Sequence, residues 1–277
     1  MWEDAVEIRE TFTNRNEWID YLDKNSILYS QESIEALGKQ IIANGAEEPL
    51  TGFAAGASDL IDLNGNWREG LVFHGINSRT RAVMLEIADA IDATDRYNPR
   101  IYAAEGLTAF ALRMRGIFPR FIGSEYTEEA PKREWLFPIP FEDLQNLSYP
   151  ENIFDLVSTN EVLEHVPSID VAMSEIFRVL KPGAWHIGTC PFAFMSEESI
   201  VRAKMSNGQI KHLMEPEYHG NPMSENGSLV FEIPGWNILQ RLRSIGFSKA
   251  LMRFIVSARY GCLSTDITGI FVLCCQK

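Results

Sequence analysis

The sequence has little cysteine and no long hydrophobic run, and both absences limit where the protein can work. Its four cysteines among 277 residues show no framework spacing and no CxxC pair, which excludes a disulfide scaffold and predicts a reduced, cytoplasmic protein. No apolar stretch approaches the ~20 residues of a membrane-spanning helix. The first residues lack the basic start and apolar stretch of a secretion signal, so export is not expected.

Positive charge is also scarce. Lys and Arg number 25 against 38 Asp and Glu, which gives a formal net charge of −13. A surface of this sign repels phosphate backbones and anionic lipid, so neither nucleic acid nor a membrane is expected as the main partner. Hydrophobic residues make up 45% of the chain, which is enough for a buried core. These properties predict a globular protein with a buried core, and they leave its oligomeric state open.

After residue 97 the sequence alternates between short apolar runs and amphipathic stretches. This alternation predicts an α/β fold, with a mostly parallel sheet covered by helices on both faces. The last two strands share a short connection, which predicts an antiparallel C-terminal hairpin. The predicted strands are 100–104, 120–123, 134–139, 153–158, 184–190, 249–258 and 268–275, and the predicted helices are 79–93, 108–115, 169–180 and 235–245.

The chain is predicted to divide into an N-terminal accessory segment, residues 1–97, and a main domain, residues 98–277. The accessory segment is polar up to about residue 45, where short helices are expected. Residues 192–234 form a long insertion between the fifth strand and the next helix. Because a loop of this length inside a compact domain is usually functional or disordered, and this one contains aromatic residues and histidines, we predict a folded lid over the substrate.

The turn after the first strand lacks the glycine-rich phosphate cradle of a dinucleotide site. It reads Glu105-Gly106-Leu107-Thr108, with a single glycine and a carboxylate that would repel a pyrophosphate. This composition argues against NAD and favours a nucleoside that carries an ammonium or sulfonium group. Ligands of an open α/β sheet bind at the carboxyl ends of its strands. Glu125 follows the second strand, where an acid accepts hydrogen bonds from both ribose hydroxyls.

Two stretches resemble the S-adenosylmethionine-dependent methyltransferases of the Rossmann-like class. Residues 154–167 read FDLVSTNEVLEHVP and residues 175–183 read EIFRVLKPG, which is similar to the family pattern of a strand, LEHV, a helix, RVLKPGG and a strand. The resemblance covers about residues 98–277 and implies a Rossmann-like fold with S-adenosylmethionine as cofactor. The first loop of the family normally has an acid and three spaced glycines, so the single Gly106 is a departure.

The resemblance also implies roles for the residues that follow the strands. Glu125 would hold the ribose, and Glu142 or Asp143 would meet the adenine amino group. The implied cofactor-binding set is Glu105, Gly106, Thr108, Glu125, Tyr126, Glu142, Asp143, Leu144, Asn160 and Glu161, of which Glu105, Gly106, Thr108 and Asn160 would surround the methionine part.

Methyl transfer to a hydroxyl requires the removal of a proton, and three histidines are the candidate bases. His165 follows the fourth strand, and His212 and His219 lie in the insertion. A metal is the alternative: Glu161, Glu164 and His165 are spaced i, i+3 and i+4, so one helix face would present them to a divalent ion, with His212 or His219 completing the ligands. The acceptor is expected to be a hydroxyl of a small molecule or glycan, and O-methylation is the expected reaction.

Two other functions stay open on the sequence alone. The irregular first turn is compatible with a non-catalytic, methyltransferase-like binding module, and the same fold supports cofactor-using enzymes of different chemistry. In the accessory segment, Arg79 and Arg81 are candidates to hold an anionic group of the substrate, and pairing with the excess acids of the chain is their structural alternative.

Overall fold

The computed structural model describes residues 6–61, 65–92, 98–221 and 223–277. Its contacts divide the chain into two compact units, residues 1–93 with 251–274 and residues 94–250 with 275–277. The N-terminal residues used to exclude a secretion signal, and the predicted boundary at residue 97, lie outside the described residues. No helix in the described ranges is both long and apolar enough to cross a membrane.

Helices and strands alternate along most of the described chain. In chain order they are β1 (Glu7–Phe12), α1 (Arg15–Lys24), α2 (Gln31–Asn44), β2 (Ala46–Glu47), β3 (Ala54–Ala55), β4 (Leu60–Ile61), α3 (Trp67–Gly70), β5 (Val72–Phe73), α4 (Ser78–Asp92), β6 (Ile101–Ala103), α5 (Ala109–Ile117), β7 (Phe121–Gly123), α6 (Ala130–Trp135), β8 (Phe154–Asn160), α7 (Ile169–Val179), β9 (Leu180–Thr189), β10 (Ile200–Val201), β11 (Ala203–Ser206), β12 (Gln209–His212), β13 (Tyr218–Asn221), β14 (Ser224–Leu229), β15 (Glu232–Ile233), α8 (Asn237–Ile245), β16 (Lys249–Ser257) and β17 (Ile270–Gln276). Short 3-10 helices cover Ser26–Tyr29, Ala57–Asp59 and Leu163–His165. The predicted α/β class is confirmed.

A parallel sheet forms the centre of the second unit. Its strands lie in the order β9, β8, β6, β7, and each neighbouring pair is parallel. Six of the seven residues of β8 are buried, as expected of a central strand covered on both faces. Ala103 of β6 lies opposite both Gly123 of β7 and Ser158 of β8. The three strands therefore end at the same edge, and the residues that follow them meet there.

The helix ends of this unit follow from local capping. Thr108 Oγ accepts a hydrogen bond from the backbone N–H of Ala111 at the start of α5, and Ser168 does the same for Val171 at the start of α7. Gly246 ends α8 with a φ of +130°, a conformation that favours glycine. The predicted helices at 108–115, 169–180 and 235–245 are thus confirmed, with ends shifted by one or two residues.

The predicted strand at 134–139 is wrong. The chain instead forms α6, with Pro131 in its first turn, and Trp135 and Phe137 are 74% and 87% exposed. Because the aromatic residues of this segment lie at the surface, they do not contribute the buried apolar area that stabilises a central strand. Pro138 also lacks the N–H that a strand needs for its ladder.

Lys181, Pro182 and Gly183 follow the end of α7 and belong to β9. The pairing of β9 with β8 shifts register here, because Leu180 lies opposite Phe154 whereas Trp185 lies opposite Leu156. The Lys-Pro-Gly sequence therefore makes a bulge at the beginning of the strand, where a proline does not break the ladder.

The insertion at 192–234 is folded into three small antiparallel sheets. These sheets pair β10 with β15, β11 with β12, and β13 with β14. The backbone N–H of Phe231 donates to the carbonyl of Glu164 at 2.7 Å, which ties the insertion to the segment after β8. Its role as a lid stays a prediction.

The first unit contains a strand that the sequence analysis did not predict. Residues 7–12 form β1, which pairs antiparallel with β16 from Glu7 opposite Ser257 to Phe12 opposite Met252. β16 is in turn the neighbour of β17, and the predicted C-terminal hairpin is confirmed. The predicted helix at 79–93 corresponds to α4, and residue 93 lies outside the described residues.

The two arginines proposed to hold an anion have structural partners within this unit. Arg79 Nε lies 2.8 Å from the Glu69 carboxylate. Arg81 is 1% exposed, and its guanidinium donates to four backbone carbonyls. Because four of its five N–H donors bind backbone carbonyls and the side chain is buried, the role of Arg81 as a substrate clamp is wrong.

The burial of His186 predicts that the stability of the folded protein depends on pH. It is fully buried in β9, with Nε2 2.8 Å from Thr159 Oγ1, and burial lowers its pKa to about 3. Its pKa in the unfolded chain is about 6.5. Below pH 6.5 the unfolded state therefore binds a proton that the folded state does not bind until about pH 3. The free energy of unfolding consequently decreases as the pH is lowered from 6.5 to about 3.

Between pH 7 and pH 5, His186 is expected to remove about 2 kcal/mol from the free energy of unfolding. Urea denaturation at both pH values tests this. The His186→Gln variant should show a correspondingly smaller loss between the two pH values, whereas His212→Gln, at an exposed position, should behave as the unaltered protein. An equal pH dependence in all three proteins would contradict the expectation.

Candidate functional site

The turn after β6 forms a hydrogen-bond network with the end of β8. Thr108 Oγ1 donates to Glu105 Oε2 at 2.5 Å, and Asn160 Nδ2 donates to Glu105 Oε1 at 2.5 Å. Glu105 and Asn160 are each 7% exposed. The aligned ends of β6 and β8 explain the contact. Three of the residues predicted to surround the methionine part of a cofactor are therefore brought together.

Glu125 lies beside the same turn. It is buried at the end of β7, and its Oε1 accepts hydrogen bonds from the backbone N–H groups of Gly106 at 2.8 Å and Leu107 at 2.9 Å. Its own N–H donates to the carbonyl of Pro140. These contacts hold the carboxylate at the carboxyl edge of the sheet, the place expected of a ribose-binding acid.

Two glycines allow the first turn to approach β7 closely. A Cβ on Gly123 would lie 2.5 Å from the carbonyl oxygen of Glu105, and a Cβ on Gly106 would lie 2.8 Å from Ile139 Cγ2. The close packing of this turn therefore depends on one glycine in the turn and one in the neighbouring strand. Sequence reasoning missed Gly123, although its position just before Ser124 and Glu125 was a signal.

The predicted adenine-binding segment follows Pro140. Glu142 accepts hydrogen bonds from the N–H and hydroxyl groups of Ser148, and Asp143 Oδ1 accepts one from the N–H of Gln145. Leu144 is buried, and Tyr126, which is 45% exposed, stacks on Phe141 with ring centroids 5.6 Å apart. The backbone of Glu142 donates to the carbonyl of Glu125, so the segment lies next to the predicted ribose acid. Which of the two acids contacts adenine stays a prediction.

A cavity of about 460 Å³ borders the first turn. Leu107 forms one part of its wall, α6 and the residues after it form another, and Met223 with the beginning of β14 forms a third. The Nζ of Lys132 joins the last two parts, because it donates to the carbonyl of Met223 at 2.9 Å. The lining is mainly apolar and aromatic, and the volume is in the range of small-molecule sites.

Comparison with known proteins decides the class of this unit. Residues 106–188, less than half of the chain, match the family model of the methyltransferase domain. This segment is a methyltransferase domain. The prediction of an S-adenosylmethionine-dependent, Rossmann-like methyltransferase domain is thereby confirmed, and with it the predicted cofactor class.

Individual relatives of the methyltransferase domain match over shorter stretches. A sterol 24-C-methyltransferase of Gibberella zeae is 49% identical over 70 residues, which are 25% of this chain and 16% of that protein. A sterol 24-C-methyltransferase of Pneumocystis carinii is 46% identical over 41 residues, 15% of this chain and 11% of that protein. The chain therefore spans well under two thirds of the length of the curated relatives it matches.

Solved structures with similar topology include two S-adenosylmethionine-dependent methyltransferases. The protein of Mesorhizobium loti has a TM-score of 0.44 at 15% identity, over 72% of this chain and 98% of that chain. The protein of Methanosarcina mazei has a TM-score of 0.38 at 16% identity, over 68% of this chain and 96% of that chain.

The methyltransferase domain has a polar atom suited to the cofactor. Asn160 Oδ1 is buried and has no hydrogen-bond partner among the described residues, while the amide nitrogen of the same side chain binds Glu105. An ammonium group would supply the missing donor and would be attracted by the carboxylate of Glu105. The residues at the first turn therefore fit the methionine end of S-adenosylmethionine.

A second polar group follows β8. Glu164, His165 and His219 lie together and are referred to here as the Glu164 cluster. Glu164 is fully buried, and its Oε1 lies 3.5 Å from His165 Nε2 and 3.7 Å from His219 Nδ1. The carboxylate is only four residues from Asn160. The cluster is thus a candidate for the acceptor side of the site.

Two of the residues proposed as metal ligands or bases are placed elsewhere. The predicted single helix face does not form, because residues 163–165 make one 3-10 turn and α7 begins only at Ile169. Glu161 precedes that turn with a φ of +53° and is not part of the cluster found among the described residues. His212 is exposed in β12, opposite Ala203, and is not part of it either.

Carboxylates on both sides of His219 favour its protonated form. Glu164 is the main cause, and Glu217, whose Oε1 lies 3.0 Å from His219 Nε2, adds to it, so the pKa of His219 is raised to about 9. Sequence reasoning missed Glu217, although an acid two residues before His219 was a usable signal. The same carboxylates would attract any other cation at this position.

Proposed function

We propose that this methyltransferase domain transfers the methyl group of S-adenosylmethionine to a hydroxyl group of a small-molecule or glycan acceptor. One observation carries the proposal: the cofactor residues and the Glu164 cluster follow the same central strand. Asn160, at the end of β8, belongs to the first set, and Glu164 lies four residues later. A hydroxyl held at the cluster is therefore close to the methionine end of the cofactor site.

The cofactor site uses residues from three strand ends. Glu125 accepts hydrogen bonds from the ribose hydroxyls, and Glu105 with Asn160 Oδ1 accepts those of the methionine ammonium. Bound S-adenosylmethionine supplies a methyl group on a positively charged sulfur. The buried carboxylates of the first turn favour that positive charge and disfavour a pyrophosphate.

The acceptor site is proposed to lie between the Glu164 cluster and the apolar cavity. His219 orients the hydroxyl, and Nε2 of His165 accepts its proton as the O–CH₃ bond forms and the S–CH₃ bond breaks. The exposed aromatic rings of Trp135 and Phe137 line the cavity and offer flat apolar surfaces to a sugar ring or a small natural product.

Methyl transfer to carbon is the second candidate function. The two sterol 24-C-methyltransferases that match short stretches of this chain are named for transfer to carbon. The mostly apolar cavity is compatible with such an acceptor, whereas the buried carboxylate and two imidazoles favour a polar acceptor atom.

Transfer of a labelled methyl group tests the proposal. The protein is incubated with methyl-labelled S-adenosylmethionine and panels of monosaccharides, phenols, amines and sterols, and the products are examined by mass spectrometry and ¹³C NMR. We expect label in the hydroxyl-bearing acceptors, with the new methyl carbon bonded to oxygen. Label found only on a carbon atom of sterols would favour the second candidate.

Binding measured without any acceptor separates an inactive relative from an enzyme whose acceptor is absent from the panel. Calorimetric titration with S-adenosylhomocysteine should show saturable binding to one site per chain. A complete absence of heat, together with no labelled product, would indicate a non-catalytic binding module and would contradict the proposal.

A further inference from the structure

We propose that the Glu164 cluster is a binding site for one divalent transition-metal ion. One carboxylate oxygen and two imidazole nitrogens, one atom from each residue, lie within 4.8 Å of one another. Glu164 and His165 come from the 3-10 turn after β8, and His219 comes from β13 of the insertion. The site therefore exists only when the insertion is folded against the end of the central strand.

Hydrogen bonds on the far side of each ring fix which nitrogen faces the cluster. His165 Nδ1 lies 2.9 Å from the carbonyl oxygen of Leu229, and His219 Nε2 lies 3.0 Å from Glu217 Oε1. Because a carbonyl and a carboxylate only accept hydrogen bonds, each of these nitrogens carries a hydrogen. In the neutral rings, the two nitrogens directed at Glu164 therefore present lone pairs, as metal-bound imidazoles do.

The carboxylate at the centre of the cluster is deeply buried. Glu164 is 0% exposed, and neither Oε1 nor Oε2 has a hydrogen-bond partner among the described residues. A buried carboxylate is costly unless a cation balances it. Without a metal, the protonated ring of His219 is that cation, and a bound metal ion would replace its proton. Three electron-rich atoms thus converge at a place where a positive charge is needed.

The ligand types select the kind of ion. Two imidazole nitrogens and one carboxylate oxygen suit Zn²⁺, Fe²⁺, Co²⁺ or Ni²⁺ and are a poor match for Ca²⁺ or Mg²⁺, which prefer oxygen ligands. Ligand atoms around a tetrahedral ion of this size lie roughly 3.4 Å apart. A spread of at most 4.8 Å therefore closes with small side-chain rotations. The carboxylate of Glu217 and the carbonyl of Leu229 supply the outer contacts that orient such histidines.

Three protein ligands leave at least one coordination position open. On the proposed function, the acceptor oxygen occupies this open position, and the ion holds it beside the cofactor site. Binding of the ion itself does not depend on methyl transfer and can be measured without cofactor or acceptor.

Titration with Co²⁺ tests the site directly. Protein without a polyhistidine tag is dialysed against a chelator, and Co²⁺ is added while visible absorption is recorded. We expect about one equivalent to bind per chain, with the absorption of a low-coordinate nitrogen and oxygen site, and Zn²⁺ to displace it. Glu164→Gln and His219→Asn should each weaken Co²⁺ binding at least tenfold, and Glu217→Gln should weaken it by about tenfold.

His212→Asn is the matched control, because His212 lies in the same insertion but outside the cluster. Its Co²⁺ affinity should equal that of the unaltered protein. Circular dichroism checks that each variant is folded. If Glu164→Gln does not fold, the test relies on His219→Asn, which changes a partly exposed position. Equal Co²⁺ affinity in the unaltered protein and His219→Asn would overturn the inference and leave the Glu164–His219 ion pair as the role of the cluster. Separate titration with S-adenosylhomocysteine shows whether the cofactor site fails independently.

Discussion

Replacing Glu125 by glutamine is expected to weaken the binding of S-adenosylhomocysteine by about 30-fold. A carboxylate accepts hydrogen bonds from both ribose hydroxyls, whereas an amide offers one acceptor and one donor group. Hydrogen bonds to a charged group are stronger than neutral ones by about 1 kcal/mol each, so two of them lost amount to about 2 kcal/mol. The effect is measured by calorimetric titration of both proteins.

Glu128→Gln provides the control for this substitution. Glu128 is an exposed acid three residues further along the same loop, and its replacement changes the net charge by the same amount. Its affinity for S-adenosylhomocysteine should stay within about twofold. If Glu125→Gln bound as tightly as Glu128→Gln, the carboxylate of Glu125 would serve only to hold the backbone N–H groups of Gly106 and Leu107, and the ribose assignment would be lost.

Replacing Arg81 by methionine is expected to lower the free energy of unfolding by about 3–5 kcal/mol. The Arg81 guanidinium donates to the carbonyls of Leu71, Ile76, Tyr260 and Gly261 at 2.6–3.0 Å within the first unit. Methionine fills much of the volume but donates no hydrogen bond, so four carbonyls around a buried position would lose their donor. Urea denaturation at neutral pH measures the loss.

Two further variants separate the hydrogen bonds of Arg81 from its charge and bulk. Arg81→Lys keeps the charge but not the planar set of donors, so it should also be strongly destabilised. Lys39→Met removes a cation from an exposed helix position and should change the free energy of unfolding by less than about 0.5 kcal/mol. A loss below about 1 kcal/mol in Arg81→Met would show that the carbonyls find other partners.

Features that depend on neighbours in the chain were predictable. The helix predicted at 169–180 matches α7, because its cap at Ser168 and its buried residues lie in one short segment of the chain. By contrast, the run at 134–139 had the composition of a strand, but Trp135 and Phe137 are exposed and Pro138 offers no donor. Composition alone does not show whether an apolar segment is buried in the core or exposed at the surface.

The polar residues at the sheet edge were predictable because strand ends are readable from sequence and parallel strands end together. That rule selected Glu105, Glu125 and Asn160 before their contacts were known. The sequence named His212 and His219 as alternative partners of Glu164 but could not choose between them, since both lie in the insertion, far from Glu164 along the chain.

The sequence by itself determined the class of residues 106–188, because the FDLVSTNEVLEHVP stretch, the helix caps and the strand ends are local patterns. Only the tertiary structure decided that residues 7–12 form β1, that Arg81 binds backbone carbonyls, and that His219 replaces Glu161 beside Glu164. Each of these depends on contacts between distant parts of the chain. Such contacts are set by the packing of whole elements, for which neighbouring residues carry no signal.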